Sequence, residues 1–129
     1  MEGETSLCVA LDDGSSVGAL LCVPSSSPPL AGYVFAHGAG AGMAHPFMAN
    51  FAAGLAERGI ATLRYQFPFM ERGSKRPDAP AVAHAAVRAA VAQAAQSLPG
   101  VPLLAGGKSF GGRMTSQAQA ASPLPGVKG

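Results

Sequence analysis

Hydrophobic and polar positions divide the chain into short β-rich runs and longer stretches with helical spacing. The apolar runs predict strands at 5–11, 17–23, 32–36, 60–65 and 103–105. Apolar residues three and four positions apart predict helices over 46–58, 81–97 and about 112–121. A hairpin followed by three strand–helix units predicts an α/β fold: a mostly parallel sheet, opened by an antiparallel hairpin, with helices on both faces.

Turn residues separate these elements. Asp12–Ser16 contains an Asp-Gly pair suited to a hairpin turn, and Gly59 is placed to end the first helix as its C-cap. Prolines in the stretches 24–29 and 66–80 predict two loops without regular structure, the second long enough to be functional. Residues 127–129 resemble the entrance to a further strand.

Composition narrows the class of protein. The 129 residues are 48% hydrophobic and 12% charged, which fits one domain with a buried core. The net charge of +2 comes without a basic run, so nothing favours nucleic-acid or membrane-surface binding. No apolar run reaches membrane-spanning length and the acidic start lacks a signal peptide's basic region, which predicts a cytoplasmic protein. We expect Cys8 and Cys22 to remain without a disulfide, and neither metal nor cofactor is predicted.

The segment Leu103–Met114 carries the strongest chemical signal. It joins a short apolar strand to a helix through Gly107-Lys108-Ser109-Phe110-Gly111, the Gly-x-Ser-x-Gly pattern of a nucleophile elbow. Small residues two positions either side of Ser109 permit a strained turn that exposes its hydroxyl, and the N–H of Phe110 would face a developing oxyanion. A phosphate-binding loop would need glycine where Pro102 stands. A glycine-rich turn without chemistry stays open on this pattern alone.

Another glycine-rich turn, at 37–42 and therefore the first along the chain, also follows a predicted strand and precedes a helix. Its glycines would let the backbone approach a bound acyl group. A dinucleotide fingerprint would need glycine at position 43 or 45, which are Met43 and His45, and no acidic residue ends the following strand. Both turns are expected at the carboxyl ends of parallel strands, where ligands bind in such sheets.

Together, the runs at 37–43, 45–48, 64–70 and 106–114 resemble the α/β-hydrolase superfamily, in its dienelactone-hydrolase-like branch of testis-expressed-protein and histone-acetyltransferase-complex-subunit type. The resemblance implies a serine hydrolase acting on a small ester or related acyl substrate. By it, Ser109 is the nucleophile and the N–H groups of Phe110 and Ala39 form the oxyanion hole. The substrate-binding residues would be Gly38, Gly40, His45 and Arg64.

Other polar residues have less specific interpretations. Arg64 is either a scaffold residue or the partner of a substrate carboxylate. His37 and His84 are expected to be structural, the Lys108 side chain to point away from the nucleophile, and Asp78 to act near a helix start.

One departure from the resemblance concerns the catalytic triad. In this fold an acid and a histidine follow the nucleophile, yet residues 110–129 contain no Asp, Glu or His. We therefore expect residues 1–129 to be the N-terminal portion of a single α/β-hydrolase domain, truncated after the elbow helix and inactive alone. The alternative is a non-catalytic, degenerate domain that acts as an interaction module. Either would expose a sheet edge through which the chain could self-associate.

Overall fold

The computed structural model describes residues 3–25 and 28–129. Its strands are β1 Glu4–Ala10, β2 Ser16–Cys22, β3 Ala31–Ala36, β4 Ile60–Tyr65 and β5 Leu103–Gly107. Its helices are α1 Pro46–Glu57, α2 Pro68–Glu71, α3 Pro80–Ser97 and α4 Phe110–Ala121. The strands form one sheet in the order β1-β2-β4-β3-β5. This is the predicted fold class, with each predicted strand and helix present.

The sheet combines an antiparallel edge with a parallel centre. β1 pairs with β2 and β2 with β4 in antiparallel fashion, while β3 lies parallel to both β4 and β5. Gly14, at φ +89°, supplies the left-handed residue of the predicted hairpin turn. Cys8 lies opposite Gly18 and Cys22 opposite Glu4, so the two cysteines do not face each other across the hairpin. Positions 26 and 27 of the predicted 24–29 loop lie outside the described residues.

Helices cover both faces of the sheet because the two crossovers run in opposite directions. The chain steps from β3 to β4 through α1 and returns past β3 to β5 through α3, so right-handed crossovers put α1 and α3 on opposite faces. On the α1 face, Phe35 packs against Phe51 with ring centroids 5.1 Å apart. On the other face α4 lies beside α3, where Arg88 donates to the carbonyl of Ala118 at 2.6 Å.

The structure differs from the expectations at three places. The stretch 66–80 contains the single-turn helix α2, with Phe69 fully buried. α4 begins at Phe110, two residues before the predicted start. Residues 127–129 lie along β5, where Lys128 donates to the carbonyl of Leu103 at 2.7 Å, so the expected unpaired edge is partly occupied. None of the helices formed by the described residues is long and apolar enough to cross a membrane.

Candidate active site

Ser109 occupies a strained turn between β5 and α4. Its backbone has φ 53° and ψ −113°, and it is the only non-glycine residue of the described chain with a positive φ. Such a conformation costs on the order of 1–3 kcal/mol and persists only where the surrounding packing enforces it. The sharp turn from strand to helix leaves the Ser109 side chain exposed at the tip. This is the geometry that a nucleophile elbow requires.

The glycines of the elbow, residues 107–111, are required by close backbone packing. A Cβ on Gly107 would lie 2.6 Å from the carbonyl oxygen of Ala36, far inside van der Waals contact. A Cβ on Gly111 would meet the carbonyl oxygen of His37 and the Cβ of Ala36, the latter at 2.7 Å. Gly112 is equally confined, since its Cβ would lie 2.8 Å from the Gly107 oxygen. The backbone of the elbow therefore packs directly against the end of β3.

The first glycine turn, residues 37–43, meets the elbow at that same end of the sheet. Lys108 donates its backbone N–H to the Ala36 carbonyl at 3.0 Å, which joins the last residues of β3 to the elbow. A Cβ on Gly38 would stand 3.7 Å from the Cβ of Ser109. Adjacent parallel strands bring their carboxyl ends together, so two turns about seventy residues apart in sequence form one site.

His37 holds the first glycine turn in place and has no nitrogen left for catalysis. Its Nε2 accepts from the N–H of Phe67 at 3.0 Å, so the neutral ring carries its proton on Nδ1, which donates to the carbonyl of Gly38 at 2.6 Å. Burial lowers the pKa of His37, although the bond to Gly38 and the charge of Asp78 oppose that shift. A buried neutral histidine with both nitrogens engaged is a structural residue.

Arg64 and Gln66 fix the far end of the turn. Arg64 donates to the Met43 carbonyl at 3.0 Å, and the Gln66 side-chain oxygen accepts from the Met43 N–H at 2.8 Å. Arg64 is 1% exposed and forms an ion pair with Glu4. The structure thus places Arg64 beneath the turn as a scaffold residue and does not bring it together with the other predicted substrate-binding residues.

An aromatic cluster supports the elbow from below, and sequence reasoning missed it. The Phe110 ring packs edge-on against Phe67 and Phe69, with centroids 5.2 and 5.7 Å away. Asp78 accepts from the N–H of Phe69 at 3.1 Å, whereas the N-cap of α3 is Ala79, so the expected helix-start role of Asp78 is wrong. A signal was available, because the buried positions of β4 continue at every second residue through Phe67 to Phe69.

A cleft of about 380 Å³ opens between the two turns, hereafter the Ser109 cleft. It is lined by Gly38, Ala39, Gly40, Ala41, His45, Phe47, Met48, Lys108 and Ser109. The structure therefore brings together most of the predicted site residues, with the Phe110 ring buried underneath and its N–H at the start of α4. Within the described chain, no hydrogen bond uses the backbone N–H of Ala39 or Phe110, so both can donate to a ligand.

His45 lies on the wall of the Ser109 cleft. Its Nδ1 accepts from the N–H of Phe47 at 3.1 Å and so caps the N-terminus of α1. In the neutral ring the proton then lies on Nε2, which makes that nitrogen a donor, not a base, while the cap is intact. No cluster of three or more potential metal-ligating side chains occurs among the residues that the structure describes.

Comparison with known proteins identifies a family and similar folds. A family model described as an alpha/beta hydrolase domain matches residues 30–129. Similar solved structures include an alpha-beta serine hydrolase homologue from Coxiella burnetii (TM-score 0.77, 15% identity), which the chain matches over 93% of its own length and 59% of the other's. A dienelactone hydrolase from Anabaena variabilis gives a TM-score of 0.77 at 20% identity, over 93% and 58%. A serine hydrolase without lid from Xanthomonas campestris gives 0.77 at 20%, over 94% and 57%.

The chain thus spans little more than half the length of these structures, and at such identities the likeness concerns the fold alone. A search of curated protein sequences gave no match.

Proposed function

The chain belongs to the α/β-hydrolase family, and from that premise we propose that it is a serine-hydrolase-like protein with Ser109 as its nucleophile. The substrate class would be a small ester or a related acyl compound. The single observation that carries the proposal is the strained turn of Ser109, which faces the backbone of the first glycine turn across one cleft. We also propose the dienelactone-hydrolase-like branch, which the likeness to the Anabaena structure supports.

The proposed reaction is acyl transfer to water. The Ser109 oxygen would attack the ester carbonyl carbon, forming a C–O bond while its own proton passes to a base. The N–H groups of Ala39 and Phe110 would stabilise the negative charge on the carbonyl oxygen. Collapse of this intermediate breaks the bond to the alcohol, which leaves with a proton. Water then attacks the acyl-serine, releasing the carboxylic acid and restoring the Ser109 hydroxyl.

The proposed reaction requires a general base to accept the Ser109 proton, and the site supplies this poorly. His37 is buried and bonded at both nitrogens, and His45 uses Nδ1 for its cap. In this fold the acid and the histidine follow the nucleophile in the chain, and residues 110–129 contain no Asp, Glu or His. We therefore propose that the 129-residue chain hydrolyses esters slowly, with only the residual ~10³–10⁴-fold acceleration that an oxyanion hole and binding give without a triad.

Chemical rescue tests the proposal. We would incubate the purified chain with p-nitrophenyl acetate, with and without added imidazole as an external base, and follow both nitrophenolate release and acetylation of the protein by intact mass. We expect imidazole to promote acetylation of the wild-type chain and not of Ser109→Ala. Ser116→Ala, which removes an exposed serine of α4 outside the cleft, is the matched control and should behave like wild type.

Equal acetylation of the wild-type chain and Ser109→Ala would contradict the assignment of the nucleophile. Rapid hydrolysis without imidazole that disappears in Ser109→Ala would instead show that His45 or Lys108 already acts as the base.

A second candidate function is that of an interaction module, and the free side of β1 favours it. β1 is a seven-residue edge strand with no strand on its outer side in the described sheet. Unpaired strand edges are templates for pairing with another chain. The chain would then use this edge for self-association, whether or not Ser109 is reactive.

A further inference from the structure

The Ser109 cleft contains one charged side chain among its lining residues, and that charge is positive. Its lining consists mainly of small residues of the first glycine turn together with the apolar side chains of Phe47 and Met48. Lys108, the immediate neighbour of the nucleophile, also lines the cleft, and none of the lining residues in the described part of the chain is acidic. A substrate entering here meets a local positive potential close to the reacting serine.

Lys108 lines the cleft, and its side chain extends to the ring of Phe47. Its ammonium nitrogen lies 4.7 Å from the ring centroid of Phe47, in the first turn of α1. That distance is within the range of a cation–π interaction. The root of the side chain is fixed as well, because the backbone N–H of Lys108 donates to Ala36 and its carbonyl accepts from Gly111, both at 3.0 Å.

The charge of Lys108 is not neutralised by the protein. In residues 3–25 and 28–129 the ion pairs are Arg64 with Glu4 and Arg72 with Asp78, so no described carboxylate pairs with Lys108. His45 also lines the cleft, and its capping bond leaves the proton of the neutral ring on Nε2. A cation and a neutral donor without an acidic partner suit a ligand that carries its own carboxylate.

We propose that Lys108 binds a carboxylate on the acyl part of the substrate, so that the site prefers half-esters of short dicarboxylic acids to neutral esters of the same size. This inference rests on the proposed function of Ser109 as nucleophile. Lys108 and Ser109 are neighbours in sequence and line the same cleft, so one short acyl chain could present its carbonyl to Ser109 and its carboxylate to Lys108.

Acylation rates give the first test. We would compare the p-nitrophenyl half-ester of succinic acid with p-nitrophenyl butyrate, in the presence of imidazole, for wild type, Lys108→Gln, Lys108→Arg and Arg113→Gln. The last variant removes an exposed cation of α4 outside the cleft and is the matched control. We expect Lys108→Gln to lose about three- to fivefold of the preference for the anionic ester, as for one solvent-accessible ion pair. Lys108→Arg and Arg113→Gln should retain it, and added salt should weaken it in wild type.

Binding without turnover gives the second test, which separates this inference from the hydrolase proposal. Succinamate and neutral butyramide would be titrated into wild type and Lys108→Gln while the amide NMR signals of Ala39 and Phe110 are followed. Succinamate should bind more tightly than butyramide to wild type and equally weakly to Lys108→Gln. If Ser109 is not acylated but succinamate still requires Lys108, the nucleophile assignment is wrong and the anion site stands. If neither the ester preference nor succinamate binding depends on Lys108, the anion site is wrong.

Discussion

Replacement of Gly111 by alanine tests whether close packing between the elbow and β3 determines the geometry of the site. The new Cβ would lie 2.7 Å from the Cβ of Ala36 and 2.9 Å from its carbonyl carbon, and closer still to the His37 carbonyl oxygen. Two of these three atoms are backbone atoms, one in the last residue of β3 and one in the residue after it, so they cannot move as a flexible side chain can. The elbow would have to lift away from β3 to admit one methyl group.

The expected loss follows from two opposing terms. Overpacking of this kind costs about 1–3 kcal/mol, while alanine is favoured over glycine in a helix by up to about 1 kcal/mol. We expect a net loss of about 1–2 kcal/mol, which for a chain of this length is a fall in melting temperature of roughly 4–10 °C.

The matched control is Gly40→Ala in the first glycine turn. A Cβ there would meet no heavy atom within 4 Å. Its substitution should leave stability unchanged or raise it by about 0.4–1 kcal/mol, because alanine restricts the unfolded chain. Urea and thermal denaturation of both variants and wild type supply the measurement. If Gly111→Ala is as stable as Gly40→Ala, the argument that packing on β3 imposes the elbow is refuted.

Three further predictions concern strain, pH and association. Ser109→Gly should be more stable than Ser109→Ala by about 1 kcal/mol in urea denaturation, since glycine adopts the φ of 53° without strain, and equal stability would mean that the turn is unstrained. Because burial lowers the pKa of His37 below its ordinary 6.5, the unfolded state binds its proton more readily. The free energy of unfolding should therefore fall as the pH drops below about 6.5, and a urea midpoint equal at about pH 7.5 and pH 5.5 would contradict this. His84→Gln, which alters a half-buried histidine bonded to Gln117, should keep the same dependence. Light scattering after size-exclusion chromatography should detect self-association through the outer edge of β1, and a strict monomer across concentrations would exclude it.

The order of the elements was predictable from sequence because local signals specify it. Alternating apolar residues, the Asp-Gly turn before β2 and Gly59 at φ +82° after α1 each act within a few residues. The start of α4 was misplaced because Gly111 and Gly112 resemble helix breakers. Their glycine character is instead imposed by Ala36 and by the Gly107 carbonyl, which sequence does not place beside them.

The site was predictable in its backbone and less so in its side chains. The two glycine-rich turns carry their own pattern, so Ser109 and Ala39 could be assigned to one cleft. The role of Arg64 depends on Glu4, sixty residues away in sequence, whose carboxylate pairs with it under the first glycine turn. The position of Lys108 likewise depends on Phe47, a residue of another helix. Contacts between distant elements leave no periodic signal in the chain.

The glycines of the two turns differ in how much space surrounds them, and this affects which positions of the site can change in evolution. Gly107, Gly111 and Gly112 face backbone atoms, so a lineage that keeps this fold has almost no choice at the elbow. Gly40 lines the cleft, and a Cβ there would meet no heavy atom within 4 Å. Side chains that alter substrate preference could therefore enter at Gly40, whereas Gly42 of the same turn is confined by the side chains of Gln66 and Met70. The Ser109 cleft thus combines elbow positions that must stay glycine with one position, Gly40, that can accept a side chain.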